Sequence, residues 1–348
     1  MSLVPRAIAK KASSTLPAGI PASIVGMVTT RLYRAGKIVK ENFPVDDISD
    51  RVGEEGSTVW ADFTAPSEAD LASIEEELGL HRLAVEDAVH DFQRPKLDCY
   101  DTHLFLAAYA VKLDTVTGAL SSTEIKAFIT PHALVTVHEA DFDMATVVER
   151  WGNDSGLATH GTGFLLWGLL DVIVDGHFDT VQLLDAQIES LEDALFDDVP
   201  RDKEVQKRSF ELRKSLVRLR RVVLPMREVV NTLLRRDLEP IDPAMMPYFQ
   251  DVYDHVLRAT EWTESLRDLV TTILETNISI QGNRMNMIMK KVTSWAAIIA
   301  VPTAITGFFG QNLAFAGFGT AWGVWMSIAL IVVVSGALYL GFKKRDWL

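Results

Sequence analysis

Cysteine is nearly absent. Cys99 stands alone in 348 residues, which excludes an intramolecular disulfide and any paired-cysteine metal or redox site. The HExxH, phosphate-loop, GxGxxG and CxxC patterns are all missing, so the local signatures of zinc hydrolases, nucleotide-binding enzymes and dinucleotide folds are not there. The eight histidines are scattered rather than clustered. No apolar stretch follows Arg6, Lys10 and Lys11, so residues 1–30 read as a poorly ordered tail and not as a signal peptide. The last absence is the most informative. From Val292 to Phe342 there is no Asp, Glu, Lys or Arg.

That gap sits in a chain of formal net charge -13 and mean hydropathy +0.13. A soluble domain so acidic should not average apolar, so the two properties occupy different segments. Charged residues crowd 40–290 and apolar ones 292–342. The run "WGVWMSIALIVVVSGALYLGF", 322–342, matches the roughly 20 apolar residues that cross a bilayer. Trp322 and Trp325 suit one interface, Tyr339 and Trp347 the other. A first span covers about 292–311, and its Pro302 is tolerable in a membrane helix. Lys290 and Lys291 precede the first span, and Lys343, Lys344 and Arg345 follow the second. The loop "LAFAGFGTA" between them has no basic residue. By the positive-inside rule both termini are cytoplasmic, and so is the acidic region. A third apolar run, "GFLLWGLLDVIV" at 163–174, is short and contains Asp171. It reads as a buried helix.

The region before the spans mixes strands and helices and reads as α+β. "STVWADF", "HLFLAAYAVKL" and "IKAFITPHALVTVHEA" read as strands, with "DTVTGALSS" as a turn. "PSEADLASIEEELG" reads as a helix capped by Ser67 and Asp70 and stopped by Gly79. Residues 161–198 form a helix with an acidic second half, and a basic helix follows Pro200. The pair suggests an antiparallel hairpin with facing charges. The acidic neighbour and the spans downstream argue against nucleic-acid binding by the basic helix. From about Tyr248 to Phe309 only Gly282 and Pro302 interrupt, so one helix of ~60 residues, ~90 Å long, is expected. The divisions are a tail at 1–30, a cytoplasmic domain at 31–245, a stalk at 246–291 and a membrane hairpin at 292–348.

Two spans cannot enclose a pore, so transport would need a ring of copies. Met289, Ala296, Ala300, Thr303, Gly307 and Gly310 recur at steps of three, four and seven and share one helical face. Close helix packing through small residues explains such a stripe equally well. Asn286 lies one turn below the first span and Asn312 at its outer end. With no carboxylate in either span or the loop, a bare divalent ion finds no charged ligand. A hydrated one could be held through its own water, which suits Mg²⁺. A capping role in the turn is the other reading of Asn312.

"FFGQN", a short loop, a second span and "KKRDWL" together resemble the CorA family of metal-ion transporters. "LAVEDAVHDFQRPK" (83–96) and "YFQDVYDH" (248–255) resemble its cytoplasmic and stalk segments, so the likeness covers roughly 55–348. The resemblance implies a funnel-shaped homopentamer with a cytoplasmic α/β/α domain, a long stalk helix and two transmembrane helices. It implies passive Mg²⁺ uptake across the cytoplasmic membrane, with Co²⁺ or Ni²⁺ also accepted, and no enzymatic activity. By likeness Gly310, Gln311 and Asn312 form the selectivity filter, and Asn286, Met289, Val292, Ala296, Ala300 and Thr303 line the pore. Asp87 and Asp251 match an acidic pair between subunits where bound Mg²⁺ closes the channel, with Glu86 and Asp254 near enough to help. Two departures stand out. Gln311 replaces the family's usual methionine, and the outer loop is uncharged where the family's is acidic. The alternative is a proton-coupled Zn²⁺ transporter like the ZntB branch.

Overall fold

A computed structural model describes residues 26–90, 94–195, 202–235, 238–311 and 319–348. Most of the expected tail, and Asn312 with the loop after it, lie outside the described residues. Two compact units form. One takes residues up to Asp193 with Lys207–Val270, the other Ala194–Gln206 with Thr271–Leu348.

The first unit is built on a seven-stranded sheet. Its strands are β1 (Met27–Arg34), β2 (Lys37–Glu41), β3 (Ser57–Thr64), β4 (Lys96–Cys99), β5 (Leu104–Leu113), β6 (Leu120–Ile129) and β7 (Ala133–His138), in the order β2-β1-β3-β7-β6-β5-β4. Every pairing is antiparallel except β3 with β7, which runs in register from Val59↔Ala133 to Thr64↔His138. The segment "IKAFITPHALVTVHEA" holds parts of two strands. Pro131 has no N–H to give a ladder, and Thr130 turns the chain by accepting from the Ala133 N–H at 2.8 Å. β1 corrects the tail expected to reach residue 30. It starts at Met27 because it pairs along the whole of β3, a partner that no local pattern announces.

All eight residues of β3 are buried, as expected of a strand covered on both faces. Val59, Ala61 and Phe63 join a core with Phe105, Phe128 and Val135. That core is closed by α1 (Ile48–Val52), α2 (Glu68–Leu78) and α3 (Arg82–Val89), through Ile48, Leu71, Ile74 and Ala84. In α2 the Ser67–Asp70 capping box and a left-handed Gly79 at φ 60° bound the helix as the sequence implies. On the opposite face Trp60 meets Trp151 of α4 (Met144–Asn153) edge-on at 4.9 Å. There α5 (Thr162–Leu195) attaches to β5 through His177, whose Nε2 lies 2.7 Å from the Tyr109 carbonyl oxygen. The layers are therefore α/β/α.

The 163–174 run is the inner part of α5. Leu165, Leu166, Leu169, Leu170, Ile173 and Val174 are all fully buried. Asp171 is tolerated there because Arg150 Nε comes within 2.6 Å. Burial first, and the Asp175 charge second, push the Asp171 carboxyl up to about 6 against the pull of Arg150. α6 (Asp202–Arg235) buries a stripe of Leu212, Leu216, Leu219, Val223, Met226 and Val230. Its basic residues do not simply face the acidic half of α5. Arg220 reaches Glu264 of α7 (Met246–Phe309), and Arg218 donates to the Leu120 carbonyl. Apolar burial outweighs surface pairing in fixing such helices.

The second unit holds the later part of α7 and all of α8 (Ala321–Lys344). Both helices are long and apolar enough to cross a membrane, and only 6% of each apolar window is buried. Ile299, Trp325, Val332, Val333 and Leu340 point outward. Such a surface would be costly in water and is ordinary in lipid. After α8 the chain folds back. The Trp347 ring stacks on Phe342 at 5.7 Å, and Lys290 Nζ lies 6.0 Å from that ring.

Candidate functional site

α7 carries the expected stripe without a break. Asn286, Met289, Val292, Ala296, Ala300 and Thr303 follow at steps of three, three, four, four and three, so their side chains stack along one face, and Gly310 follows just past the end of the helix. All are exposed in the single chain, Met289 at 59% and Val292 at 61%. Ser294, off this stripe, is fully buried. The stripe begins with an amide, passes a thioether and an isopropyl group, and then narrows to methyl groups. Thr303 is its only hydroxyl. Thr303 Oγ1 donates to the Ile299 carbonyl at 3.3 Å. Its proton is thus used inside the helix, and its lone pairs remain to accept from water or touch a cation.

Helix winding does not stop abruptly at Phe309. Gly310 N–H donates to Thr306 O at 2.8 Å and Gln311 N–H to Phe308 O at 3.3 Å. Pro302 leaves Ile298 without its helical donor. Thr306 bonds further along, to the Pro302 carbonyl at 2.8 Å. Of the three expected filter residues, Gly310 and Gln311 continue the turn above the stripe, and Asn312 lies outside the described residues.

The acidic set is divided between two elements. Asp87, half-buried on α3, has Lys96 Nζ at 2.5 Å, and the same ammonium lies 2.6 Å from Asp98. Burial alone would lower the Lys96 pKa, but the hydrogen bonds it donates to Asp87 and Asp98 outweigh it, so the ammonium is held above its ordinary value. Glu86 is exposed beside this pair. Asp251 and Asp254 are exposed early in α7, and Asp254 accepts from Gln250 Nε2 at 3.1 Å. Among the described residues no group of three or more His, Cys, Asp or Glu is placed to hold a metal ion. Lys96 was not singled out from the sequence. Its signal was the end of "QRPK", where a cation enters a strand that pairs beside the acidic helix.

The family model described as CorA-like Mg2+ transporter protein matches residues 55–344. The chain belongs to this family. The match begins just before β3 and leaves β1, β2 and α1 ahead of it. Among relatives, the cobalt/magnesium transport protein CorA of Thermotoga maritima is 29% identical over 300 residues, covering 85% of each chain. Among solved structures, the CorA magnesium transporter of Methanocaldococcus jannaschii aligns with a TM-score of 0.73 at 22% identity, covering 92% of this chain and 98% of that one. The ZntB cytoplasmic domain of Vibrio parahaemolyticus aligns with a TM-score of 0.50 at 16% identity, covering 66% of this chain and 88% of that one. The structural likenesses speak for the fold alone. In this CorA-like chain α7 and α8 are the two apolar helices of a membrane transporter, and the unit containing the sheet is the α/β domain that precedes them. The family is one of transporters, in keeping with a sequence that offered no catalytic motif.

Proposed function

We propose that the chain conducts divalent cations passively across the cytoplasmic membrane, Mg²⁺ foremost, with Co²⁺ and Ni²⁺ accepted. The observation that carries this reading is the uninterrupted exposed stripe of α7 from Asn286 to Thr303. Two helices cannot surround an ion path, so the stripe becomes a wall only in a ring of copies, about five by family likeness. No charged side chain lies between Val292 and Phe342. An ion on this path keeps most of its water, which Mg²⁺ surrenders reluctantly. The proposed divisions are a cytoplasmic domain at 31–245, a stalk at 246–291 and a membrane hairpin at 292–348. Both termini are cytoplasmic in this reading. The nearness of Lys290 to Trp347 supports it, because it puts the entry of the first span and the end of the second on one side.

The test is flux into proteoliposomes with Mg²⁺, Co²⁺, Ni²⁺ and Zn²⁺ compared at several pH values. Mg²⁺ entry independent of a proton gradient is the expected result. A second reading is proton-coupled Zn²⁺ transport, which the replacement of methionine by Gln311 favours. Zn²⁺ flux that follows an imposed proton gradient, with Mg²⁺ excluded, would select it. In mild detergent active preparations should run as one closed ring, about five times the 38.7 kDa chain. A stable active monomer or dimer would overturn the ring.

Regulation by internal Mg²⁺ belongs to the same proposal. Asp87 and Glu86 of one chain would face Asp251 and Asp254 of the next, and hard carboxylate oxygens suit Mg²⁺. A cation bridging them stabilises the closed ring, because it binds that state better than the open one. Lys96 already neutralises Asp87 within the chain and competes for it. Removing it by Lys96→Met should therefore shift protection of the cytoplasmic region from protease to lower Mg²⁺. Asp87→Asn with Asp251→Asn should shift it to higher Mg²⁺ or abolish it. An unchanged Mg²⁺ response in the double variant would place feedback elsewhere.

A further inference from the structure

A concavity of the opposite charge lies in the α/β unit. A cavity of about 940 Å³ is bounded by the residues just before β4, the start of β6 and the middle of α6. Arg94, Arg218, Arg220 and Arg221 line it together with Ser121 and Ser122, and among the described residues no carboxylate is in its wall. The protein as a whole carries a net charge of -13. Four arginines lining one hollow therefore run against its composition, and like charges gathered there repel one another unless an anion is among them. Among the described residues only Arg220 of the four is paired with a carboxylate.

We propose that this cavity binds a soluble nucleoside triphosphate in its metal-free form. Guanidinium forks match phosphate oxygens two at a time, and four of them exceed what a single phosphate can use. A chain of phosphates can engage them together. Leu224 and Pro225 add an apolar wall on the same helix, suited to the flat face of a base. Pro225 has no N–H for the Arg221 carbonyl, which leaves a backbone acceptor in that turn. The volume is that of an ordinary small-molecule site. Arg218 is already oriented, since its Nη1 donates to the Leu120 carbonyl at 3.2 Å.

Arg220 gives the site a connection. Its Nε lies 3.2 Å from Glu264 of α7, and both side chains are about 40% exposed. Such a pair is weak and readily exchanged. A triphosphate in the cavity competes with Glu264 for Arg220 and so alters a tether on the helix that carries the proposed ion path. Binding of the nucleotide and the arrangement of α7 are then linked in both directions. Nucleoside triphosphates chelate divalent cations, and the metal-free form carries more negative charge. Arginines favour that form, which accumulates when divalent cations are scarce. This last step rests on the reading under Proposed function, whereas the binding itself does not.

The experiment is calorimetric titration of the full-length chain in detergent with ATP in EDTA, pyrophosphate, AMP and inorganic phosphate, alongside vesicles of phosphatidylglycerol. ATP and pyrophosphate should bind at least about tenfold more tightly than AMP or phosphate, because they span several forks. Arg94→Ala and Arg221→Ala should each weaken ATP about tenfold while the elution mass and thermal midpoint stay unchanged. Glu264→Gln should tighten ATP by about threefold, since it releases Arg220. Saturating Mg²⁺ should weaken the binding. Three results would overturn the proposal: no heat from ATP or pyrophosphate at millimolar concentration, ATP binding unchanged in the Arg94→Ala/Arg221→Ala double variant, or association with phosphatidylglycerol vesicles only. The readout is binding and not flux, so a negative result leaves the ion-path reading standing.

Discussion

Asn312→Ala is expected to abolish divalent uptake while leaving the ring assembled. The stripe of α7 contains one hydroxyl, at Thr303, and no charge from Val292 onward. In the proposed ion path an entering hydrated cation would meet the side-chain amides of Asn312 and Gln311 before any other strong acceptor of the stripe. An amide oxygen accepts from the ion's water without demanding its removal, which Mg²⁺ resists. A hydrogen bond to a charged partner contributes about 1.5–3 kcal/mol, so each lost amide weakens capture roughly tenfold or more, and a ring loses several at once. Alanine leaves the turn at Gly310 and Gln311 intact, since those bonds are backbone to backbone. Gln311→Met should retain flux, with a changed order of preference among Mg²⁺, Co²⁺ and Zn²⁺ as its readout. Uptake by Asn312→Ala at near-normal rate, with Mg²⁺ as substrate, would remove the selectivity role.

Gly168→Ala should destabilise the α/β unit far more than a single methyl group ordinarily does. A Cβ built at Gly168 would stand 2.4 Å from both Cδ1 and Nε1 of Trp151. The indole cannot step aside cheaply. It is buried, its Nε1 donates to the Leu165 carbonyl at 3.1 Å, and its ring packs edge-on against Trp60. Overpacking a rigid contact costs about 1–3 kcal/mol. For a unit of this size that lowers the thermal midpoint by about 2–12 °C. Gly176→Ala on the same helix is the control, because a Cβ there meets nothing within 4 Å. It should be neutral or stabilising, as alanine favours a helix over glycine by roughly 1 kcal/mol. Equal midpoints for the two variants in intrinsic fluorescence of the full chain would contradict the contact.

The readable parts of this protein are those whose signals are local. A segment without charge from Val292 to Phe342 can only be costly in water, so the two spans are legible without any partner in view. The capping box of Ser67 and Asp70 and the stop at Gly79 are likewise contained within one helix. With only Gly282 and Pro302 to interrupt it, the segment from about Tyr248 to Phe309 is enough to place α7. The candidate pore stripe follows from helical geometry once that helix is granted. Its role still depends on a ring that no single chain displays.

What the sequence by itself determined is therefore composition by segment, the buried nature of the 163–174 run, and the spacing along α7. Tertiary structure alone decided the sheet order, in which β3 pairs parallel with β7, a strand more than sixty residues later. Only that pairing gives β1 its place, and β2, exposed along its whole length, has no burial pattern to announce it. The same holds for Lys96 against Asp87, Gly168 under Trp151, and Arg94 beside the arginines of α6. Each depends on contacts between residues distant in the chain. Local propensity and periodicity carry no information about such contacts, because the free energy that selects them is gained only when separate elements pack.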